Sequence, residues 1–125
     1  MSTPPASTTP SIIHKIRVLY QDVYCISGKF SKRDKLGIHS IIESLCIEIL
    51  SLAIESAFSP TNLKLDILQK LRVKTNVLKN IVRTEYEIKI IDMKTYLRIS
   101  EQLVEISKMT NGWINFVNGK EPLKK

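Results

Sequence analysis

The chain has 125 residues, of which 43% are hydrophobic, and its 19 Lys and Arg residues against 12 Asp and Glu residues give a formal net charge of +7. This length supports one compact domain that buries roughly two thirds of its unfolded surface. No uncharged apolar run is long enough to span a membrane, and residues 1–10 lack the basic and apolar regions of a signal peptide. We therefore expect a soluble cytoplasmic protein without membrane contact.

The chain divides into three segments by composition. Residues 1–10 contain three prolines and no large apolar residue after Met1, which predicts a disordered tail. Residues 11–118 carry a continuous helical pattern, and residues 119–125 form a basic C-terminal tail. Cys25 and Cys46 fall inside the helical pattern without a Cys-x-x-Cys spacing, so we expect reduced core residues and no disulfide.

The first two predicted helices follow from apolar residues that recur at spacings of three and four. The first helix runs from Ser11 to about Gly28, and Ser31 with Asp34 has the spacing of a capping box that opens the second, which ends near Phe58. The predicted seam positions are Ile12, Ile16, Leu19, Val23, Ile26 and Phe30, and then Ile38, Ile42, Leu45, Ile49 and Leu52.

Two further helices complete the pattern. Ser59 before Pro60 predicts the capped start of the third helix, and Asp92 predicts the cap of the fourth, which ends at Asn118-Gly119. Their seams are Leu68, Leu71, Leu78, Val82 and Tyr86, interrupted at Thr75, and then Tyr96, Ile99, Leu103, Ile106, Thr110, Trp113 and Val117. Four helices, short turns and no strand pattern predict an all-α, antiparallel up-down-up-down four-helix bundle.

The second helix is apolar beyond the stripe that a bundle core needs. Apolar residues also occupy its flanking faces, at Ile41, Cys46, Ile47, Leu50, Ala53, Ile54 and Ala57. A second buried contact, with another subunit, accounts for this excess and predicts a homo-oligomer. The interface candidates are Ile47, Leu50, Ile54 and Trp113, the last of which could instead fill the core at the end of the bundle.

Charge is segregated along the chain. The segment from Gly37 to Leu63 has three acidic residues and no Lys or Arg, whereas Lys64 to Lys89 has seven bases and three acids. A basic surplus on one amphipathic segment is typical of a protein that binds a polyanion. The candidate phosphate-binding residues are Lys32, Arg33, Lys35, Lys70, Arg72, Lys74, Lys79 and Arg83.

Arg72, Lys79 and Arg83 are spaced by seven and four residues, so they form one stripe that could contact several phosphates. The alternative is a solvated face whose long side chains cover the edge of the core. The chain has only eight aromatic residues, four of them at predicted seam positions, which indicates weak sequence specificity. Tyr20 and Tyr24 could stack on nucleobases, although helix packing explains their positions more simply.

The sequence gives little support to an enzyme. His14 and His39 are the only histidines, and no Gly-rich phosphate loop is present. His39 and Glu43 lie one turn apart and could share a metal, but the Glu-x-x-His repeats of di-iron bundles are missing. We expect no catalytic residues, no metal and no cofactor.

Three segments carry a resemblance to a known family. The turn from Phe30 to Lys35, the stretch from Leu78 to Ile88 with Arg83, and the stretch from Ser100 to Phe116 with Gly112-Trp113-Ile114 resemble the accessory variability determinant family. Members accompany the reverse transcriptase of diversity-generating retroelements. The Asn-Ile-Ala-Glu-Gly motif of the related bundle proteins in ribosomal RNA intervening sequences is missing from the second helix, which favours the retroelement branch.

The resemblance implies a four-helix bundle that assembles as a pentameric ring with a basic surface. It further implies a non-enzymatic accessory protein that binds the reverse transcriptase and RNA or DNA, and that supports mutagenic copying of a template RNA into cDNA. The alternative function is a stand-alone RNA-binding or structural oligomerisation bundle of the intervening-sequence type.

Overall fold

In the computed structural model of the chain, residues 9–119 are described, and within that range all regular structure is helical. The helices are α1 (Thr9–Ile26), α2 (Lys32–Leu36), α3 (Ile38–Phe58), α4 (Thr61–Glu87) and α5 (Met93–Val117), with a 3-10 turn at Ser27–Lys29. The all-α prediction is confirmed, with four long helices and one short one. None of the described helices is long and apolar enough to cross a membrane.

The four long helices pack in a ring of neighbours. α3 lies between α1 and α4, and α5 lies between α4 and α1, which leaves α1 diagonal to α4. Lys15 contacts Glu105 and Asp22 contacts Arg98, so residue numbers rise along α1 as they fall along α5 and the two helices are antiparallel. The predicted bundle architecture agrees with this arrangement.

The predicted seams line one shared core. Every apolar seam residue of the four long helices is either buried or packed against the buried cluster. Thr75 and Thr110 are polar but also buried, and each hydroxyl donates to the carbonyl four residues earlier, Leu71 and Ile106, at 2.8 Å. A threonine whose hydroxyl is satisfied by its own helix fits in an apolar core, so Thr75 continues the stripe.

The ends of α1 differ from the prediction. The helix begins at Thr9 rather than Ser11, and Pro10 is tolerated in its first turn because the amide that proline lacks would be unpaired there. It ends at Ile26, two residues before the predicted Gly28, where the 3-10 turn follows. The predicted tails otherwise fall on residues 1–8 and 120–125, which lie outside the described residues.

The predicted second helix is divided at Gly37. Ser31 does cap a helix, since its Oγ accepts from the Asp34 amide at 3.2 Å, but that helix is the five-residue α2. Gly37 has φ −93° and ψ −114°, outside the helical range, and a Cβ there would lie 2.8 Å from the Arg33 carbonyl oxygen. Glycine therefore permits the close turn that separates α2 from α3.

Of the two remaining predicted caps, one is wrong and one is confirmed. The Ser59 hydroxyl donates to the Glu55 carbonyl at 2.8 Å, and the position before α4 is Pro60, which supplies no side-chain cap. Asp92 accepts from the Thr95 amide at 2.8 Å, as predicted. The Pro60 carbonyl accepts from the Leu63 and Lys64 amides at 3.0 and 3.1 Å, so α4 begins with backbone hydrogen bonds and without a side-chain cap.

The turn after α4 places a lysine where glycine is usual. The Ile90 amide donates to the Glu85 carbonyl at 3.0 Å and the Lys89 amide donates to the Tyr86 carbonyl at 2.9 Å. These are the paired bonds of a Schellman motif, and Lys89 occupies its left-handed position with φ 69°. The motif turns the chain sharply towards α5.

Three predictions about apolar residues need correction. Cys25 is exposed, whereas Cys46 is buried as predicted, and both thiols are free. Three of the residues predicted on the flanking faces of α3 are buried in the core, so the apolar excess on α3 is smaller than expected; they are Cys46, Ala53 and Ala57. Trp113 is also fully buried inside its own subunit, which leaves it no surface to offer another subunit. The burial of Trp113 follows from its seam position, whereas the exposure of Cys25 depends on which helices are neighbours and could not be inferred from helix periodicity alone.

Candidate nucleic-acid interface

The bases of α4 lie on two different flanks of the helix. Lys74 contacts Glu48 of α3 at 3.1 Å, so its flank faces α3. Lys79 and Arg83 instead border α5, where they line a groove together with Ser100. Helical periodicity puts Lys70 on the first flank and Arg72 on the second. The predicted stripe of Arg72, Lys79 and Arg83 is therefore one continuous flank beside α5.

This flank is poor in acidic groups. The groove has a volume of about 290 Å³ and is lined by Lys79, Asn80, Arg83, Tyr96, Ser100 and Val104. Within residues 11–119, no carboxylate lies at salt-bridge distance from Arg72 or Lys79. Arg83 Nε donates to Glu87 Oε2 at 3.2 Å, with both side chains exposed. An exposed pair of this kind contributes about 0–1 kcal/mol, so a phosphate can compete for the guanidinium.

The charge imbalance that the sequence shows lies on the solvent-exposed surface. Lys64 and Glu85, two of the charged residues between positions 64 and 89, are buried. Removing them from the seven bases and three acids leaves six bases and two acids, Asp66 and Glu87, in contact with solvent. The net charge of the segment is the same before and after this removal, so its whole positive surplus lies on the surface presented by α4 and its C-terminal turn.

A second group of bases lies at the end of the bundle where α1 and α4 end. Lys32, Arg33 and Lys35 belong to α2 and are all exposed. Arg33 Nε lies 3.4 Å from Asp34 Oδ1, while the Arg33 side chain remains 91% exposed. Because α3 begins and α4 ends at this end, the α2 bases and Arg83 share it. Lys70 and Lys74 lie closer to the start of α4 than Arg83 does, on the flank towards α3.

A buried ion pair lies beneath this end. His39 Nδ1 lies 2.7 Å from Glu85 Oε2, and His39 Nε2 lies 2.7 Å from the Val23 carbonyl oxygen, with both side chains only 1% exposed. The Phe30 ring meets the imidazole edge-on, at 4.9 Å between centroids and 85° between planes. The pair therefore joins α1, α3 and α4 just below α2.

Burial acts to lower the pKa of His39, but the hydrogen bonds to Glu85 and Val23 and the charges of Glu85 and Glu43 together outweigh it and raise that pKa. A carbonyl oxygen and a carboxylate on its two nitrogens favour an imidazolium that donates to both. Both ring nitrogens of His39 have protein partners, so neither is free to bind a metal together with Glu43. Among the described residues there is also no cluster of three potential metal ligands.

Sequence reasoning missed three residues of this region. Tyr96, Ser100 and Val104 recur every four residues on the flank of α5 that meets α4, and none of them is acidic. The sequence shows that these three residues share one flank of α5, but it does not show that α4 packs against that flank. Tyr24, left out of the site as a packing residue, is 62% exposed and lies on α1, away from the groove.

A family model described as bAvd-like matches residues 11–117. The chain belongs to the bAvd-like family. The match runs from α1 to α5 and confirms the resemblance to accessory variability determinants. Membership of this family indicates an accessory role in a diversity-generating retroelement. No curated protein and no solved structure matches the chain.

Proposed function

We propose that this chain is a non-enzymatic accessory protein that binds RNA or DNA through the bases of α4 and α2. In this role it associates with a retroelement reverse transcriptase and its template RNA, and supports mutagenic cDNA synthesis. The observation that carries the proposal is the surface of residues 64–89, with six solvent-accessible bases against two acids. Membership of the bAvd-like family supports the accessory role.

The geometry of α4 suits a sugar-phosphate backbone. At a rise of about 1.5 Å per residue, Arg72 and Arg83 lie about 16 Å apart along the helix, with Lys79 between them. A strand that follows this flank meets the three bases in turn, and each neutralised phosphate releases a bound counterion. Affinity of this kind depends on charge and spacing rather than on nucleotide sequence.

We further propose that the subunits assemble into a homo-oligomeric ring of five. The supporting feature is the exposed apolar surface on α3, where Ile47 and Ile54 are 46% and 39% exposed and Leu50 is half-buried. Burying these side chains against another subunit would remove apolar surface from water. A ring would also repeat the α4 bases around one assembly, so that several subunits bind one strand.

The same apolar surface favours a second candidate, a structural oligomerisation bundle whose bases serve only solubility. Ile47, Ile54 and Phe58 are exposed on α3 and would be buried in either case. The two candidates differ in what charge reversal does. In the structural case, reversing the α4 bases leaves complex formation with the partner enzyme unchanged.

The test measures RNA affinity of the assembled protein by fluorescence anisotropy between 50 and 200 mM salt, values chosen because phosphate-dependent affinity falls steeply across about that range. The wild type should lose affinity linearly on a double logarithmic plot. The variant Arg72→Glu/Lys79→Glu should bind more weakly at every salt concentration, with a slope smaller by about 1.4, since each single-strand phosphate contact contributes about 0.7.

The matched control is Arg17→Glu/Lys108→Glu, which changes net charge equally at two exposed bases on α1 and α5 outside the site. It should keep most of the wild-type slope. If both variants lose the same slope, only net charge matters and the α4 site is wrong. If the wild type shows no RNA or DNA binding at low salt, the proposed function fails and the structural candidate replaces it.

A further inference from the structure

The groove between α4 and α5 combines two cations with an aromatic ring. Lys79 and Arg83 stand on one side, and Tyr96, Ser100 and Val104 stand on the other. No carboxylate is among its lining residues. Phosphate contacts need only Lys79 and Arg83, so the aromatic and hydroxyl groups beside these two side chains have no role in the proposed phosphate binding. Their position suggests a ligand with a flat apolar part as well as a phosphate.

Tyr96 is held in place by a second ring. The Tyr86 and Tyr96 rings are stacked, with 4.6 Å between their centroids and 12° between their planes. Tyr86 covers one face of the Tyr96 ring, the Tyr96 side chain packs against the buried core, and Tyr96 also lines the groove. A ring that is already fixed loses little side-chain freedom when a further flat group packs on it. Tyr96 is therefore a preorganised stacking surface.

The size of the groove limits the ligand. Pockets for small molecules measure roughly 300–1,000 Å³, and this one, at about 290 Å³, lies at the lower limit. It has room for one base rather than a base pair. In a duplex, moreover, both faces of each base are covered by its neighbours, so stacking on a protein ring requires an unpaired base.

We infer that this groove is a subsite for one unpaired base of a single-stranded nucleic acid, which stacks on Tyr96 while its flanking phosphates bind Lys79 and Arg83. The inference rests on the proposed phosphate binding by α4 and adds a preference for single strands. Ser100 and Asn80 can donate to or accept from the edge of any base, and Val104 packs against its apolar parts. Stacking tolerates every base, which is consistent with weak sequence preference.

The experiment compares two strands of equal length and charge, one of thymidines and one of abasic sugars, for binding to the full chain. Stacking of one base strengthens binding by about 5- to 150-fold, so the wild type should prefer the thymidine strand by at least about fivefold. Tyr96→Leu should reduce this ratio to near one and leave the affinity for the abasic strand unchanged. Tyr96→Phe keeps the ring and should keep the ratio.

Tyr24→Leu is the matched control, since Tyr24 is exposed on α1 outside the groove. It should keep the wild-type ratio, and loss of the ratio in this variant instead of Tyr96→Leu overturns the inference. Equal binding of both strands by the wild type overturns the inference but not the proposed function, whereas binding of neither strand overturns both. Displacement of the strand by thymidine monophosphate at equal concentration would identify a mononucleotide site, which also overturns it.

A measurement on the wild type covers the case in which Tyr96→Leu fails to fold. A strand with 5-iodouracil in place of thymine is irradiated in the complex, and the cross-linked peptide is identified by mass spectrometry. Cross-linking to Tyr96 supports the subsite. Cross-linking only outside α4 and α5, for example to Tyr24, contradicts it.

Discussion

The bundle buries a positively charged side chain near each of its ends, in two different ways. At the end formed by residues 27–37 and 88–92, His39 has a partner on each ring nitrogen, Glu85 and the Val23 carbonyl. At the opposite end, beside the Ser59-Pro60 turn, Lys64 is only 1% exposed. Its Nζ has no hydrogen-bond partner in the described part of the chain and lies 5.9 Å from the centroid of the Trp113 ring.

The difference shows what a buried charge needs in order to stabilise a fold. A cation over an aromatic ring gains about 0.5–2 kcal/mol, less than the several kcal/mol that it costs to remove an ammonium from water. Burial accordingly lowers the pKa of Lys64. His39 gains a carboxylate and a carbonyl instead, and it links three helices beneath the α2 bases. The partners of His39 therefore offset the cost of burying its charge, whereas Lys64 is a stability cost at the other end.

The largest expected effect comes from breaking the paired end. Glu85→Ala leaves the His39 imidazole buried without its carboxylate and should lower the free energy of unfolding by about 3–5 kcal/mol. Urea denaturation followed by circular dichroism measures it. Glu85→Gln is the control, because its amide can still donate to Nδ1 of a neutral His39, and it should cost clearly less. Equal losses in the two variants would mean that side-chain volume matters rather than the ion pair.

At the opposite end, removing the buried charge should raise the free energy of unfolding rather than lower it. Lys64→Met keeps the length of the side chain and removes the buried ammonium, so the free energy of unfolding should rise by about 1–2 kcal/mol. Lys70→Met, at an exposed position of the same helix, should change it by no more than about 0.5 kcal/mol. A loss of stability in Lys64→Met would show that the ammonium has a favourable partner and that the contrast between the ends is wrong.

Much of the fold could be predicted from sequence because its signals are local. The apolar spacing identified the four seams, and the caps at Ser31 and Asp92 depend only on residues three positions away. The division at Gly37 could not be predicted in the same way. The division depends on how closely the Gly37 backbone approaches the Arg33 carbonyl oxygen. The apolar residues that follow have the same spacing whether the helix begins at Ser31 or after Gly37.

The candidate site was harder to predict because it depends on which helices are neighbours. His39 and Glu85 are 46 residues apart, and nothing local relates them. A partial signal did exist for Lys64 and Glu85, since Lys64 lies four residues before Leu68 and Glu85 lies three after Val82, both on the α4 seam. Counting charge by segment treated the two as surface residues. The role of Tyr96 beside Lys79 required knowing which flank of α4 meets α5.

The smallest expected effect, and the sharpest comparison, is the pH dependence of the two ends. Glu85→Gln removes the carboxylate that raises the pKa of His39 above 6.5. The folded wild type binds this proton more tightly than the unfolded chain, so its advantage over Glu85→Gln is fully present below pH 6.5 and is lost as the pH rises through the folded pKa. The slope cannot exceed about 1.4 kcal/mol per pH unit for one proton.

Lys64 should give the reverse slope, because burial lowers its pKa from 10.5. Its penalty relative to Lys64→Met is fully present below the folded pKa and disappears as the pH rises from that value to 10.5. Urea denaturation of the wild type and both variants across the pH range measures the two differences. Rising pH thus removes a stabilising charge at one end and a destabilising charge at the other. If the two stability differences changed with pH in the same direction, the two ends would not differ in how they stabilise a buried charge.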